Sequence, residues 1–143
     1  MKVLAGALNT LEGRAALERA ASEVEWHGGT LHIVAFHPAP TAEESRRAMY
    51  VEPSQVNTNL KQTLGRYRDR SIECIGHEPR GFTRPSEAIL HVAASERVDL
   101  IVIGMRQRSR VGKLVLGSNA HDILLRSPSP VLSVPVGEAI PAR

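Results

Sequence analysis

A short apolar run near the C-terminus places the strongest constraint on the fold of this chain. Leu100 to Ile103 are four consecutive apolar residues, three of them β-branched, and Gly104 follows them. Such a run is typical of a strand that is buried on both faces, as in the middle of a parallel sheet. It therefore predicts a central parallel strand that ends at Gly104.

The segment after this strand predicts a loop that leads into a helix. We expect a loop between Gly104 and Gly117 rather than a second strand. Ser118 then precedes apolar residues at helical spacing, and a small hydroxyl residue in that position is typical of a helix N-cap. The whole stretch is predicted to be a strand, a glycine-flanked loop and a helix N-terminus.

This arrangement predicts a site for an anion. The first N–H groups of a helix are unpaired and lie at the positive end of its dipole, and glycines allow a ligand to approach them. The loop also carries four basic residues and no carboxylate: Arg106, Arg108, Arg110 and Lys113. Since the rest of the chain holds 14 basic and 15 acidic residues, the loop alone accounts for the formal net charge of +3. Phosphate is the obvious candidate for this anion.

We therefore predict one ligand site, formed by Gly104, Arg106, Arg108, Gly117, Ser118 and Asn119. Arg106 and Arg108 alternate, so in an extended loop they would share a side and could bind phosphate through fork-type hydrogen bonds. The alternative is a solvated basic loop in which Gly117 and Ser118 only cap a helix.

The rest of the chain alternates between strand and helix signals. Asn9 and Glu12 have the spacing of a capping box for helix 1, and Gly28 should end that helix. Pro85 suits the first turn of helix 3, whereas Pro135 marks the last strand as an edge strand. The predicted strands are Met1–Leu8, Thr30–His37, Ser71–Gly76, Leu100–Ile103 and Val131–Val136, and the helices follow Asn9, include Val56 to Tyr67, run from Pro85 to Arg97, and follow Ser118.

Five strands alternating with four helices predict an α/β fold, a Rossmann-like open sheet that is doubly wound, with helices on both faces. The 143 residues are enough for one domain with a substantial core, and we assign residues 1–143 to it. In such sheets ligands bind beyond the carboxyl ends of the strands, at the point where the strand order reverses.

The residues around the predicted site also carry a resemblance. Gly104 and the pair Gly117-Ser118 have the spacing of the Gly-x2-Gly-x9-Gly-Ser/Thr signature, although Gln107 stands at the second glycine. The run from Arg106 to Leu114, with its arginines and Val-Gly-Lys segment, is similar to a variant of that loop. From Val3 to Val136 the chain resembles the universal stress protein family, whose ATP-binding members carry this signature.

The resemblance implies a five-stranded sheet of order 3-2-1-4-5, with the reversal between strands 1 and 4. It also implies a small stress-response module that binds ATP or AMP without much turnover, changes partner binding accordingly, and forms a homodimer through the last strand, Val131–Val136. By position, His37 would lie close to the adenine. The alternative is a dimeric interaction protein of the same fold whose degenerate pocket takes no nucleotide.

The first loop departs from the family pattern. ATP-binding relatives end strand 1 with Asp-Gly-Ser, where this chain has Leu8-Asn9-Thr10. Leu8 cannot bind a metal or accept a hydrogen bond from a ribose hydroxyl. The resemblance therefore implies that any nucleotide binds with little dependence on Mg²⁺.

Several other classes of function are disfavoured. Only five aromatic residues occur, so base-stacking surfaces for nucleic acid are not expected. No apolar run is long enough to span a membrane, and the single cysteine, Cys74, suits a reducing cytoplasm. The six histidines lack metal spacing, and no nucleophile motif or catalytic residue is recognised. We expect a protein that is not an enzyme and holds no metal.

Overall fold

The computed structural model describes residues 1–37, 54–108 and 113–137. Strands and helices alternate through these ranges, with one additional short strand after the fourth. In chain order the elements are β1 (Lys2–Gly6), α1 (Leu11–His27), β2 (Thr30–Val34), α2 (Ser54–Asp69), β3 (Cys74–His77), α3 (Pro85–Glu96), β4 (Leu100–Arg108), β5 (Lys113–Val115), α4 (Ser118–Arg126) and β6 (Val131–Val136). No helix among these residues is both long and apolar enough to cross a membrane.

The sheet has the predicted topology. Parallel pairing gives the order β3-β2-β1-β4-β6, and β5 pairs antiparallel with the end of β4. Because β6 is the fifth of the predicted strands, the expected order 3-2-1-4-5 is confirmed, as is the α/β class, with four helices in the described ranges. The strand order reverses between β1 and β4, which is where such a sheet binds ligands.

Apolar side chains from alternate strand positions form a core on each face of the sheet. On one face, Val3 and Val102 pack with Leu17 of α1 and Leu60 of α2. On the other, side chains of β1 and β4 pack with helices α3 and α4, through Leu4, Ile101, Ile103, Ile89 and Ile123. The apolar run in β4 is thus buried on both faces, as predicted from its composition.

The prediction that the strand ends at Gly104 is wrong. β4 continues to Arg108 and turns back into β5, with Arg106 opposite Val115, so much of the expected loop is a β-hairpin. Gly104 has a different role. A Cβ at this position would overlap the backbone carbonyl of Glu12 in the first turn of α1. The glycine therefore marks the close approach of a helix rather than the end of a strand.

β1 and β4 separate towards their carboxyl ends. The ladder between these two strands pairs Val3 with Leu100 and Leu4 with Ile101. Farther along, β1 continues beside β2 as far as Gly6, and β4 continues beside β6 as far as Arg106. The two strands thus follow different neighbours, and a crevice opens between them.

The first helix begins one residue later than its predicted capping box. Thr10 is the N-cap, and its hydroxyl accepts a hydrogen bond from the backbone N–H of Gly13 at 3.0 Å. Asn9 instead accepts a hydrogen bond from the Arg14 guanidinium, at 3.1 Å. The predicted end is confirmed, because α1 stops at His27 and Gly28 follows with φ of 76°. The helix therefore starts close to the end of β1.

Two histidines of neighbouring strands form a partly buried pair. His32 of β2 is 1% exposed, its ring stacks on that of His77 of β3, and its Nδ1 lies 2.8 Å from His77 Nε2. At this distance one of the two nitrogens donates a hydrogen bond through its N–H, and the other accepts that hydrogen bond. Burial and then the neighbouring ring lower the pKa of His32, and burial lowers the pKa of His77.

This pair predicts a loss of stability in mild acid. The usual histidine pKa of about 6.5 applies to the unfolded chain, which therefore binds more protons than the folded chain below that pH. The free energy of unfolding should then fall, by up to about 1.4 kcal/mol per pH unit for each proton. Urea unfolding at about pH 7.5 and about pH 5.5 measures the loss.

Two variants test whether the histidine pair causes this loss. His77→Gln keeps a partner for His32 but removes one titrating ring, so its stability should depend less on pH. His121→Gln, on the exposed surface of α4, should leave the dependence unchanged. Equal stability of the unmodified protein at the two pH values would contradict the prediction.

Candidate functional site

A cavity of about 390 Å³ lies where the strand order reverses, at the carboxyl ends of β1 and β4. The N-terminal ends of α1, α3 and α4 surround it. Five of the six predicted site residues line this cavity: Gly104, Arg106, Gly117, Ser118 and Asn119. Residues from opposite ends of the chain thus meet at one place.

The positions of the other predicted cations are described only in part. Arg108 is the last residue of β4, and its side chain lies outside the described part of the structure. The same holds for the side chain of Lys113 in β5, and Arg110 lies outside the described residues altogether. Arg106 is therefore the loop cation whose contacts can be followed.

The start of α4 is open towards the cavity. Gly117, not Ser118 as predicted, is the N-cap, and no side chain caps the helix. The backbone of Gly117 is extended, with φ of −63°, and no heavy atom lies within 4 Å of a Cβ built there. The first turn of α4 also holds no acidic residue. Its free N–H groups and the positive end of its dipole are thus suited to an anion.

A carboxylate that sequence reasoning did not associate with this site faces Arg106. Glu12, in the first turn of α1, places Oε1 2.6 Å from Nε of Arg106, and both residues line the cavity. Its own backbone N–H and then Arg106 lower the pKa of Glu12. The expectation of a cationic loop without an opposing charge is therefore wrong at Arg106, because the opposing charge comes from a distant part of the chain.

Asn119 joins α4 to α3. Its side-chain oxygen accepts a hydrogen bond from the backbone N–H of Ser86 at 3.1 Å. The buried hydroxyl of Ser86 donates to Asp122 at 2.8 Å, and Arg84 pairs with the same carboxylate at 2.9 Å. The bond from Ser86, followed by the nearby arginines, lowers the pKa of Asp122. Since the side-chain oxygen of Asn119 is engaged in this network, the side-chain nitrogen and the backbone N–H are the groups of this residue that can donate to a ligand.

A second cavity of about 740 Å³ lies beside the first, between α1 and α2 at the carboxyl ends of β1 and β2. Leu8 lines both cavities. Phe36 and His37 line the second one, together with the cationic residues Arg14 and Arg66. Sequence reasoning placed His37 in this area, but it did not assign Arg14 or Arg66 to a site because they line one cavity only after α1 and α2 have packed.

The described residues show no group of three or more histidine, cysteine, aspartate or glutamate side chains that could hold a metal ion. At the end of β1, where a carboxylate would be needed to bind a metal or a ribose, Leu8 presents an apolar side chain. The two cavities offer backbone N–H groups, guanidinium groups, amides, the His37 ring and apolar surface, together with the Glu12 carboxylate that pairs with Arg106.

Comparison with known proteins identifies similar chains. The model of the universal stress protein family matches residues 1–135. A universal stress protein of Thermus aquaticus, named for its place in the QAH/OAS sulfhydrylase 3' region, is 33% identical over 122 residues, which cover 80% of this chain and 84% of the relative.

Two solved structures with bound nucleotides share the fold. The universal stress protein from Archaeoglobus fulgidus in complex with dAMP has a TM-score of 0.65 and 21% identity, covering 93% of this chain and 96% of its own. A universal stress protein family protein from Arabidopsis thaliana with AMP bound has a TM-score of 0.64 and 12% identity, covering 96% and 92%.

Proposed function

The chain belongs to the universal stress protein family, and we propose on that basis that it binds an adenine nucleotide, ATP or AMP, where β1 and β4 separate. The observation that carries the proposal is the convergence of an open helix N-terminus, the unobstructed Gly117 and the Arg106 guanidinium in one cavity. These groups would bind phosphate through charge-assisted hydrogen bonds.

The second cavity supports a place for the base. Phe36 and His37 line it with aromatic side chains, and Leu8 lines both this cavity and the first. A nucleotide that extends across Leu8 would have its phosphate near α4 and its base near β2. The dAMP and AMP complexes of proteins with this fold support an adenine nucleotide as the ligand class.

The role that fits this site is retention of a nucleotide with little turnover. We propose a stress-response module of the cytoplasm whose nucleotide changes how it binds other proteins. The single cysteine, Cys74, is buried and favours a reducing compartment. The second candidate function is a dimeric interaction protein without nucleotide. It is favoured by Leu8 at the end of β1 and by Glu12, which already forms an ion pair with Arg106.

One experiment separates these two functions. Mass spectrometry of small molecules released from the purified protein, with calorimetric titrations of AMP and ATP, should show a bound adenine nucleotide. Binding should persist without Mg²⁺, because Leu8 provides no metal ligand. If no nucleotide is released and neither AMP nor ATP binds, the second function is favoured.

We further propose that two copies of the chain pair through β6. In the described structure β6 pairs with β4 and no other strand, and Val131, Leu132 and Val134 are half-buried while Pro135 is exposed. An apolar edge strand can be covered by the same strand of a second copy about a two-fold axis. Such pairing would bury the exposed parts of these valine and leucine side chains.

Val134→Asp should convert the proposed dimer into a monomer, because it would bury a carboxylate at the contact. Sedimentation at micromolar concentration measures the assembly state, and circular dichroism shows whether the variant is folded. Lys61→Asp, on the exposed surface of α2, is the matched control and should stay dimeric. A monomeric unmodified protein would contradict the proposal.

A further inference from the structure

The carboxylate of Glu12 is a fixed negative charge inside the proposed phosphate site. It lies 2.6 Å from the Arg106 guanidinium, and the Glu12 side chain is 24% exposed whereas that of Arg106 is 57% exposed. Both residues line the cavity onto which α4 opens. An incoming phosphate would therefore meet this carboxylate and would have to share Arg106 with it.

The main chain holds Glu12 in this place. Its carbonyl packs so closely against Gly104 that no Cβ would fit between them, and the following residue, Gly13, packs in the same way against the backbone of Leu8. The Thr10 cap fixes the start of the same turn. The backbone of Glu12 therefore cannot come closer to β4, and it could move away only if the whole of α1 shifted on the sheet. The carboxylate can avoid a ligand mainly by rotation of its own side chain.

The positive charge that remains for a ligand is small. Of the three helices that begin at this cavity, α1 and α3 carry an acidic residue in the first turn and α4 carries none. The N-terminus of α4 is equivalent to about half a positive charge, and Glu12 offsets much of the charge of Arg106. A single phosphate group carries about −1.5 to −2 at neutral pH, and a triphosphate carries roughly twice that. The second and third phosphates would thus add negative charge close to Glu12 without an additional described cation in this cavity.

From this arrangement we propose that Glu12 makes the site selective for nucleoside monophosphates over triphosphates. The inference rests on the proposed nucleotide site and names the ligand class that the site prefers. Glu12 acts by repelling the additional phosphates and by competing for Arg106, so both effects grow with the charge of the ligand.

Calorimetric titrations of AMP, ADP and ATP without divalent metal test this inference. The unmodified protein should bind AMP most tightly and ATP about tenfold more weakly. Glu12→Gln has nearly the same shape but no charge, and it should raise the affinity for ATP about tenfold and that for AMP about threefold. The preference for AMP over ATP should then fall from about tenfold to about threefold.

The matched control is Glu73→Gln, which removes the same charge from an exposed residue at the amino end of β3. It should leave the order of affinities unchanged, and circular dichroism should show that both variants are folded. If the ratio of ATP to AMP affinity is the same in the unmodified protein and in Glu12→Gln, the inference is overturned while the nucleotide site stands. If neither protein binds any of the three nucleotides, the proposed function fails as well. Binding by Glu12→Gln alone would support the carboxylate as the barrier.

Discussion

Gly104→Ala should destabilise the protein by about 2–3 kcal/mol, the cost of forcing an additional methyl group into a packed interior. The methyl group would overlap the carbonyl oxygen, the carbonyl carbon and Cα of Glu12, which are backbone atoms of the first turn of α1. A side chain could rotate away, but this turn can move only if α1 shifts on the sheet. Because α1 packs on β1, β4 and β6, the strain should reach the centre of the fold.

Urea unfolding of the alanine variant measures this effect, and Gly65→Ala provides a control of opposite sign. Gly65 lies inside α2, and a Cβ there would meet no atom within 4 Å. Alanine at that position should therefore stabilise the protein by about 0.5–1 kcal/mol through the better helix propensity. An alanine at residue 104 that leaves the unfolding midpoint unchanged would show that α1 is not packed against β4 as described.

The other motif glycine should respond in the opposite way. Gly117→Leu should leave the fold intact, since the backbone there is extended and the space around it is open. The loss of a favourable N-cap costs about 1 kcal/mol or less. The leucine side chain would, however, occupy the approach to the first N–H groups of α4, and affinity for AMP or sulfate should fall by about 100-fold or more.

Calorimetry with AMP and with sulfate measures the loss at Gly117, and thermal unfolding measures the stability of the same sample. Gly117→Ser is the matched variant, because serine is a small residue that suits an N-cap. It should keep a stability close to that of the unmodified protein and lose much less affinity than the leucine variant. Unchanged affinity in Gly117→Leu would remove α4 from the site.

The contrast between Gly104 and Gly117 shows which features of the fold could be predicted from the sequence. Short-range patterns predicted the elements well: the apolar run of β4, Pro85 at the start of α3 and Gly28 at the end of α1 each correspond to the structure. A glycine, however, indicates only that a side chain is excluded. Whether the excluded volume belongs to a turn, a ligand or a neighbouring helix depends on contacts between distant segments, and at Gly104 the neighbour is α1.

Some residues of the candidate site could be predicted from the sequence, and others came together only through folding. Its glycines and Arg106 belong to one continuous stretch and could be predicted together, and the structure places them around one cavity. Glu12 belongs to α1 and came close to Arg106 only through folding, although its spacing from Asn9 had suggested a role as a helix cap. Arg14 and Arg66 lie on two different helices, and nothing in the sequence connects them.

The crevice between β1 and β4 has one further consequence, for tolerance to mutation. The opening exists because the two strands follow different neighbours after Leu4 and Ile101, so it is a property of strand pairing and not of the side chains that line it. Substitution of a lining residue, such as Leu8→Asp, should change what the crevice attracts without closing it. A chain of this topology can therefore lose or exchange a ligand through a few point mutations while its folded shape stays the same.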